Sequence, residues 1–131
     1  MSGITPAEPK IGDKMPDGTI YAGISPDTKK ALYATPKDAP ASMSFQEAAD
    51  YADSLDAHGH RDWRVPTIAE LKVLSAHHVA IGGFNCSGPV PANWYWSASQ
   101  YYKRNAWVLR LSDGCKNYID KAGYLSLRCI R

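Results

Sequence analysis

The chain has 131 residues, a formal net charge of +2 and a hydrophobic content of 44%. This length suits one domain with a hydrophobic core that needs neither metal ions nor disulfide bonds for stability. The small net charge does not favour nucleic-acid binding, and no run of about 18 apolar residues predicts insertion into a membrane.

The N-terminus and the cysteines bear on where the protein works. Residues 1–6 lack the basic segment and apolar stretch of a cleaved signal peptide. Cys86, Cys115 and Cys129 are too few for a disulfide framework, although they allow a single bridge. We expect a cytoplasmic protein, or one carried on a phage particle or cell surface by an unrecognised route.

The first half of the chain predicts an extended lead-in and then a hairpin. Residues 1–16 contain three prolines and little apolar content, which favours a lead-in that precedes one domain over residues 17–131. Residues 19–24 and 30–35 flank a Ser-Pro-Asp-Thr turn, and this pattern is typical of strand, turn and strand.

Two capping boxes predict two helices. The segment Ser44-Phe-Gln-Glu47 precedes apolar residues at helical spacing, so a helix is expected from there until Gly59. The segment Thr67-Ile-Ala-Glu70 repeats this signature and predicts a second helix that ends near His77.

The C-terminal third predicts a loop followed by strands. Glycines and prolines mark residues 82–93 as a long loop. The apolar and aromatic patterns predict strands at 94–97, 106–111, 116–119 and 125–130. We expect one apolar face on the second of these strands, with Trp107 pointing to the core.

This third is also basic and rich in aromatic residues. Residues 1–90 hold eight basic and eleven acidic side chains, whereas residues 91–131 hold seven and two, together with eight of the fourteen aromatic residues. Tyrosine offers a large contact area and few torsions to order, so exposed tyrosines suit recognition. The clustering therefore indicates a binding surface in this part of the chain.

Five ordered segments resemble a known bacterial family. They are Gly59-His-Arg-Asp-Trp-Arg-Val-Pro-Thr67 with Glu70-Leu71, Tyr95-Trp-Ser97, Asn105-Ala-Trp107, Ser112-Asp-Gly114 and Leu127-Arg-Cys-Ile-Arg131. Over about Asp17 to Arg131 the chain resembles the domain of unknown function found at the C-terminus of collagen-like adhesins, whose fold is similar to that of C-type lectins. The resemblance implies an α+β fold in which two helices pack on a twisted, mostly antiparallel sheet and the chain ends lie close together.

Some members of that family resemble the variable proteins of diversity-generating retroelements. There a C-terminal scaffold is kept while interspersed surface positions change the ligand preference. Between the framework-like segments of this chain lie residues of the types that are typical of adaptable binding surfaces. We take these as candidate ligand contacts: Tyr101, Tyr102, Lys103, Arg110, Lys116, Tyr118, Asp120 and Tyr124.

The candidate contacts have a structural alternative. We expect Trp94, Tyr95, Trp96 and Trp107 to be core residues, and the four tyrosines among the contacts to be exposed. The basic side chains near Arg110 either donate hydrogen bonds to anionic groups of a ligand or form an ordinary solvated face.

Metal binding and catalysis are the less favoured readings. His58, His60, His77 and His78 offer zinc ligands together with Cys86, but no ligand spacing supports such a site. Calcium-dependent sugar binding is disfavoured because the Glu-Pro-Asn and Trp-Asn-Asp motifs of lectins are absent. A cysteine enzyme would pair Cys86 or Cys115 with a histidine, and no spacing recommends that either.

Charged residues beside a tryptophan suggest a structural ion pair. Asp62 and Arg64 flank Trp63 just before the second helix, where an Asp–Arg pair would fix the loop between the helices. Arg128 in the last strand is a second candidate for such pairing.

The sequence therefore predicts a binding module for a protein or glycan ligand, with no metal or cofactor and with oligomer formation left open. The alternatives are an oligomer-forming structural subunit of a phage or cell-surface assembly and a cysteine enzyme.

Overall fold

A computed structural model describes residues 9–86 and 93–131 and shows an α+β fold. Its elements in chain order are β1 (Ile20–Ile24), β2 (Ala31–Ala34), α1 (Phe45–Ser54), α2 (Ile68–Ala76), α3 (His78–Ile81), β3 (Trp94–Tyr102), β4 (Asn105–Arg110) and β5 (Lys116–Asp120). None of the helices within these ranges could span a lipid bilayer.

The strands form two antiparallel sheets, β1-β2 and β3-β4-β5. The predicted hairpin is confirmed, with Ile20 opposite Ala34. The Gly12 amide donates to the Tyr21 carbonyl in β1 at 2.8 Å, and the Tyr21 amide donates to the Asp13 carbonyl at 2.9 Å, so the described end of the lead-in lies beside the hairpin. On the other side of the hairpin, Ile130 forms a bridge with Ala34 in β2.

The β3-β4-β5 sheet is covered on both faces. Tyr95 and Leu109 belong to one core with Leu71 of α2, whereas the neighbouring Trp96 and Val108 belong to another with α1 and Trp63. Successive strand residues point to opposite faces, so strands that are apolar on both faces need cover on both. The expectation that one face of β4 is polar is wrong at Val108, which is 1% exposed.

Both helices begin at their capping boxes, as predicted. The first helix ends at Ser54 rather than at Gly59. The Ser54 hydroxyl donates to the Asp50 carbonyl at 2.9 Å, and Leu55 adopts an extended conformation that packs its side chain against the core of α1. The Ser54 hydrogen bond to the preceding turn favours this earlier end. Leu55 favours it too, because its side chain becomes partly buried when the chain leaves the helix.

The C-terminal segment from Leu125 to Ile130 is not the regular strand that its alternation predicts. It makes single bridges to separate segments: Leu125 to Met43, Ser126 to Tyr95, and Ile130 to both Ala34 and Arg64. The segment crosses from one sheet to the other, so no single neighbour runs beside it for long enough to form a ladder.

Arg128 in this segment is fully buried and is paired, as the sequence suggested. Its guanidinium donates to the Asp38 carboxylate at 3.0 Å and to the carbonyls of Thr35 and Gly82, both at 3.1 Å. It also lies 4.0 Å from the ring centre of Phe84. One side chain thus joins the loops on either side of the helices to the end of the chain.

A second buried charge, Glu70, lies at the start of α2 and is 0% exposed. Arg64 donates to both of its carboxylate oxygens at 2.6 and 2.7 Å, Ser25 at 2.6 Å and the Thr67 amide at 2.9 Å. Burial by itself would raise the pKa of Glu70, but these hydrogen bonds outweigh burial and lower the pKa to about 2.

The expected Asp62–Arg64 pair is wrong. Arg64 pairs with Glu70, and the Asp62 carboxylate accepts from Arg131 at 2.7 Å instead. The exposed Asp62 carboxylate is solvated in either arrangement, whereas the buried Glu70 carboxylate has no water to replace a missing donor. The Arg64 guanidinium therefore stabilises the fold more when it pairs with Glu70.

We predict that Glu70→Gln lowers the free energy of unfolding by about 2 to 3 kcal/mol, because it removes the charge that Arg64 and Ser25 hydrogen-bond inside the fold. Glu47→Gln is the matched control, since Glu47 closes an exposed capping box in α1. This substitution should lower the free energy of unfolding by less than about 1 kcal/mol. Urea denaturation measures both, and equal losses would contradict the role given to Glu70.

We also predict a pH signature for Glu70. Its folded pKa of about 2 lies below the ordinary value of 4.5, so its stabilisation is complete above pH 4.5 and is lost as the pH falls toward 2. The difference in unfolding free energy between the wild type and Glu70→Gln should therefore shrink over this range. Parallel pH curves for the two proteins would count against this assignment.

Candidate functional site: an aromatic cluster on the sheet

Three aromatic rings contact one another on the outer part of the β3-β4-β5 sheet. The rings of Tyr101 and Tyr118 are stacked, with centroids 4.0 Å apart and planes 17° from parallel. Trp107 meets both edge-on, at 4.9 Å from Tyr101 and 5.7 Å from Tyr118. The Lys116 ammonium lies 4.4 Å from the centre of the Trp107 ring. We call these four residues the aromatic cluster.

The strand register produces this cluster. Trp107 in β4 lies directly opposite Tyr118 in β5, so their side chains emerge on the same face of the sheet. The pairing of β3 with β4 shifts between Trp96 and Gln100, which brings Tyr101 to the same place. A shift of this kind re-aims the side chains that follow it.

Side-chain hydrogen bonds hold this irregular part of β3. The Ser97 hydroxyl donates to the Trp107 carbonyl at 2.6 Å and accepts the Ser99 amide at 3.0 Å. The Ser99 hydroxyl in turn accepts the amide of Ile68, the first residue of α2, at 3.0 Å. The position of Tyr101 is therefore tied to the start of a helix.

The expectation that Trp107 is a core residue is wrong, because it is half-buried and contacts the two exposed tyrosines. Trp107 precedes Leu109 in β4 and lies outside the core that Leu109 shares with α2, so its ring meets other exposed rings instead of a helix. The tyrosines are exposed as predicted, with exposed fractions of 47% for Tyr101 and 43% for Tyr118. The sequence did not predict that Trp107 joins them, because its alternation with Leu109 and Leu111 is that of a core residue.

Arg110 lies apart from the aromatic cluster and already has a partner. It donates to Asp113 at 2.9 and 2.5 Å, and its guanidinium lies 5.3 Å from the ring centre of Trp94. The hydrogen bonds from Arg110, together with one from the Cys115 amide, lower the pKa of Asp113 to about 2. The guanidinium is thus held by the turn that follows its own strand.

Lys103 and Asp120 line an open cleft of about 800 Å³ at the start of α1. Lys121 lies in the same cleft, where its ammonium donates to Gln100 at 2.6 Å and to the Lys103 carbonyl at 3.2 Å. It also lies 5.0 Å from the Phe45 ring centre, on the side of the sheet that α1 covers. The cleft and the aromatic cluster are separate features.

Tyr102 and Tyr124 are the most exposed of the predicted tyrosines, at 70% and 56%. No ring contact in the described part of the chain joins either of them to the aromatic cluster. The structure therefore brings three of the eight predicted contacts together, namely Tyr101, Lys116 and Tyr118, and adds Trp107.

Three of the four histidine side chains hydrogen-bond to other groups of the protein. His60 lies 2.8 Å from the Asp17 carboxylate, His58 contacts the Asp17 carbonyl at 3.0 Å, and His78 contacts the Ser75 carbonyl at 2.7 Å. Residues 9–86 and 93–131 contain no group of three or more side chains placed to hold a metal ion.

Two of the three thiols have pKa values that disfavour the reactive thiolate form. Burial raises the pKa of Cys86, and it raises the pKa of Cys129 to about 12. Because the thiolate is the nucleophile, a raised pKa disfavours reaction at both residues.

We predict that Trp107→Leu changes the NMR chemical shifts of the Tyr101 and Tyr118 ring protons, because it removes the indole ring whose edge meets both. The ring protons of Tyr102 and Tyr124 serve as the internal control and should not move. Equal changes at all four tyrosines would show that the variant disturbs the whole sheet, and unchanged shifts at Tyr101 and Tyr118 would contradict the cluster.

Comparison with protein families matches residues 23–131 to the model of the Lcl C-terminal domain. No curated protein matches the chain. The matched range starts in β1, includes the whole aromatic cluster, and contains all five segments on which the family resemblance was based. Since the match covers well over half of the sequence, the chain belongs to the Lcl C-terminal domain family.

Proposed function

We propose that this protein is a recognition module that binds a protein or glycan ligand on the aromatic cluster, without a metal ion. The observation that carries the proposal is the stack of Tyr101 on Tyr118 with Trp107 against both, which places three contacting rings at the surface. Membership of the Lcl C-terminal domain family supports an adhesin-like or recognition role.

The cluster has the physical properties of a binding surface. Its rings support one another, so little conformational entropy remains to be lost when a ligand covers them. Large exposed aromatic residues are also more common at recognition sites than on other surfaces. A rigid apolar patch with a cation beside it suits a ligand that has a flat face and a nearby acidic or hydroxyl group.

Part of the predicted contact set has a different role in this proposal. Arg110 donates its hydrogen bonds to Asp113, so we assign it to stabilising its turn rather than to direct contact with the ligand. Lys103 and Asp120 border the cleft beside Lys121, and only a ligand that extends beyond the aromatic cluster contacts them.

Two finer features belong to the proposal. The fold is of the C-type-lectin-like type, which presents variable side chains on a constant scaffold. The exposed positions after residue 93 are diversified by a retroelement. A reverse-transcriptase gene beside the coding region, with a near-repeat of the codons for residues 93–131, is the genomic arrangement that this predicts.

The binding experiment compares two pairs of tyrosines. The wild type is screened on a glycan array and against a displayed peptide library, and the strongest binder is measured with each double variant. Tyr101→Ser with Tyr118→Ser should weaken binding at least about tenfold, because it removes both stacked rings. Tyr102→Ser with Tyr124→Ser removes two rings that are more exposed and lie outside the cluster, and should have little effect.

Both double variants should keep the thermal stability of the parent to within a few degrees, since all four rings are exposed. A binder that survives loss of Tyr101 and Tyr118 but not loss of Tyr102 and Tyr124 would place the site elsewhere. Absence of binders on both the glycan and the peptide platforms would argue against recognition as the function.

A further inference from the structure

β5 is the outermost strand of its sheet. It pairs with β4 on one side, and no described residue forms a β-bridge with it on the other. All but one of its five residues are exposed. An open edge of this kind exposes backbone donors and acceptors that can pair with another strand.

The hydrogen bonds to β4 show which backbone groups point outward. The Arg110 amide donates to the Cys115 carbonyl at 2.9 Å, and the Lys121 amide donates to the Arg104 carbonyl at 2.7 Å. Alternate residues of an antiparallel strand bond to the same neighbour, so residues 115, 117, 119 and 121 face β4. The amides and carbonyls of Lys116, Tyr118 and Asp120 therefore face the open edge.

The order of these three residues is self-complementary. If two copies of β5 run antiparallel with Tyr118 opposite Tyr118, then Lys116 of each copy lies opposite Asp120 of the other. Opposite charges placed directly across two strands stabilise the pair, as do two facing aromatic rings. All three residue pairs fall at hydrogen-bonded positions, because all three direct their backbone groups outward.

Local contacts occupy part of this edge in the single chain. The Tyr118 amide donates to the side-chain oxygen of the adjacent Asn117 at 2.8 Å. The Asp120 carbonyl accepts the Gly123 amide at 3.0 Å and keeps a second lone pair for another donor. The Asn117 side chain is thus the substitute partner that pairing must displace.

We propose that the open edge of β5 is a self-association surface, on which two copies of the chain pair antiparallel around Tyr118. The pairing joins two three-stranded sheets into one of six strands. The twofold axis is perpendicular to the sheet, so both aromatic clusters lie side by side on the same face. Two clusters in one dimer provide bivalent contact with a repeating ligand or a surface that carries many copies of one.

Charge reversal tests this pairing by sedimentation velocity on the intact chain over about 10 µM to 1 mM, a range suited to a small interface. The wild type should show a concentration-dependent monomer–dimer equilibrium. Lys116→Asp places Asp opposite Asp, and Asp120→Lys places Lys opposite Lys, so each single variant should weaken the dimer at least about tenfold. Lys37→Asp makes the same charge change outside the sheet and is the control.

Two further samples exclude a simple loss of folding. The double variant Lys116→Asp with Asp120→Lys restores opposite charges across the pair and should dimerise like the wild type. An equimolar mixture of the two single variants should form a heterodimer, since each then carries the charge that the other needs. A wild type that stays monomeric up to 1 mM, or single variants that dimerise unchanged, would overturn the proposal.

Asn117→Ala moves the equilibrium in the opposite direction. It removes the local acceptor of the Tyr118 amide, so that amide gains more from the second copy, and dimerisation should tighten by about fivefold. Weaker dimerisation in this variant would contradict the register centred on Tyr118. A wild type that remains monomeric but binds an isolated Lys-Asn-Tyr-Ile-Asp peptide would assign the edge to an extended peptide instead.

Discussion

The position of the aromatic cluster depends on the hydrogen bonds that the buried Glu70 carboxylate accepts. It joins the end of β1, the segment before α2 and the first turn of that helix through Ser25, Arg64 and Thr67. The same segment then holds β3, because the Pro66 carbonyl accepts the Ala98 amide at 2.7 Å. A charge inside the protein thus fixes the irregular stretch of strand that leads to the recognition surface.

This arrangement explains how a small domain can hold exposed aromatic rings in a defined position. A carboxylate without solvent must keep its donors, so the groups around Glu70 have little freedom to rearrange. Leu109 and Val108 belong to cores on opposite faces of the sheet, whereas the neighbouring Trp107 belongs to neither core and contacts the exposed rings. The sheet supplies rigidity, and the position of the rings outside both cores leaves them accessible.

Features that depend on neighbouring residues could be predicted from the sequence. The two capping boxes locate the helix starts because Ser44 and Thr67 bond within their own first turns. The hairpin follows from its turn residues, and the exposure of Tyr101 and Tyr118 follows from their polar surroundings. Contacts between distant segments could not be predicted in this way. Trp107 alternates like a core residue but belongs to neither core, and its own strand does not reveal this.

The crossing of the C-terminal segment between the two sheets has a consequence for how the protein acquires its structure. Arg128 bonds to Asp38 across 90 residues of chain and to Thr35 across 93. During synthesis, neither core can close before residues 125–130 have left the ribosome, because Ile130 belongs to one core and Leu127 to the other. Contacts of such high sequence separation slow folding, and a nascent chain that still lacks this segment exposes the apolar side chains of both cores.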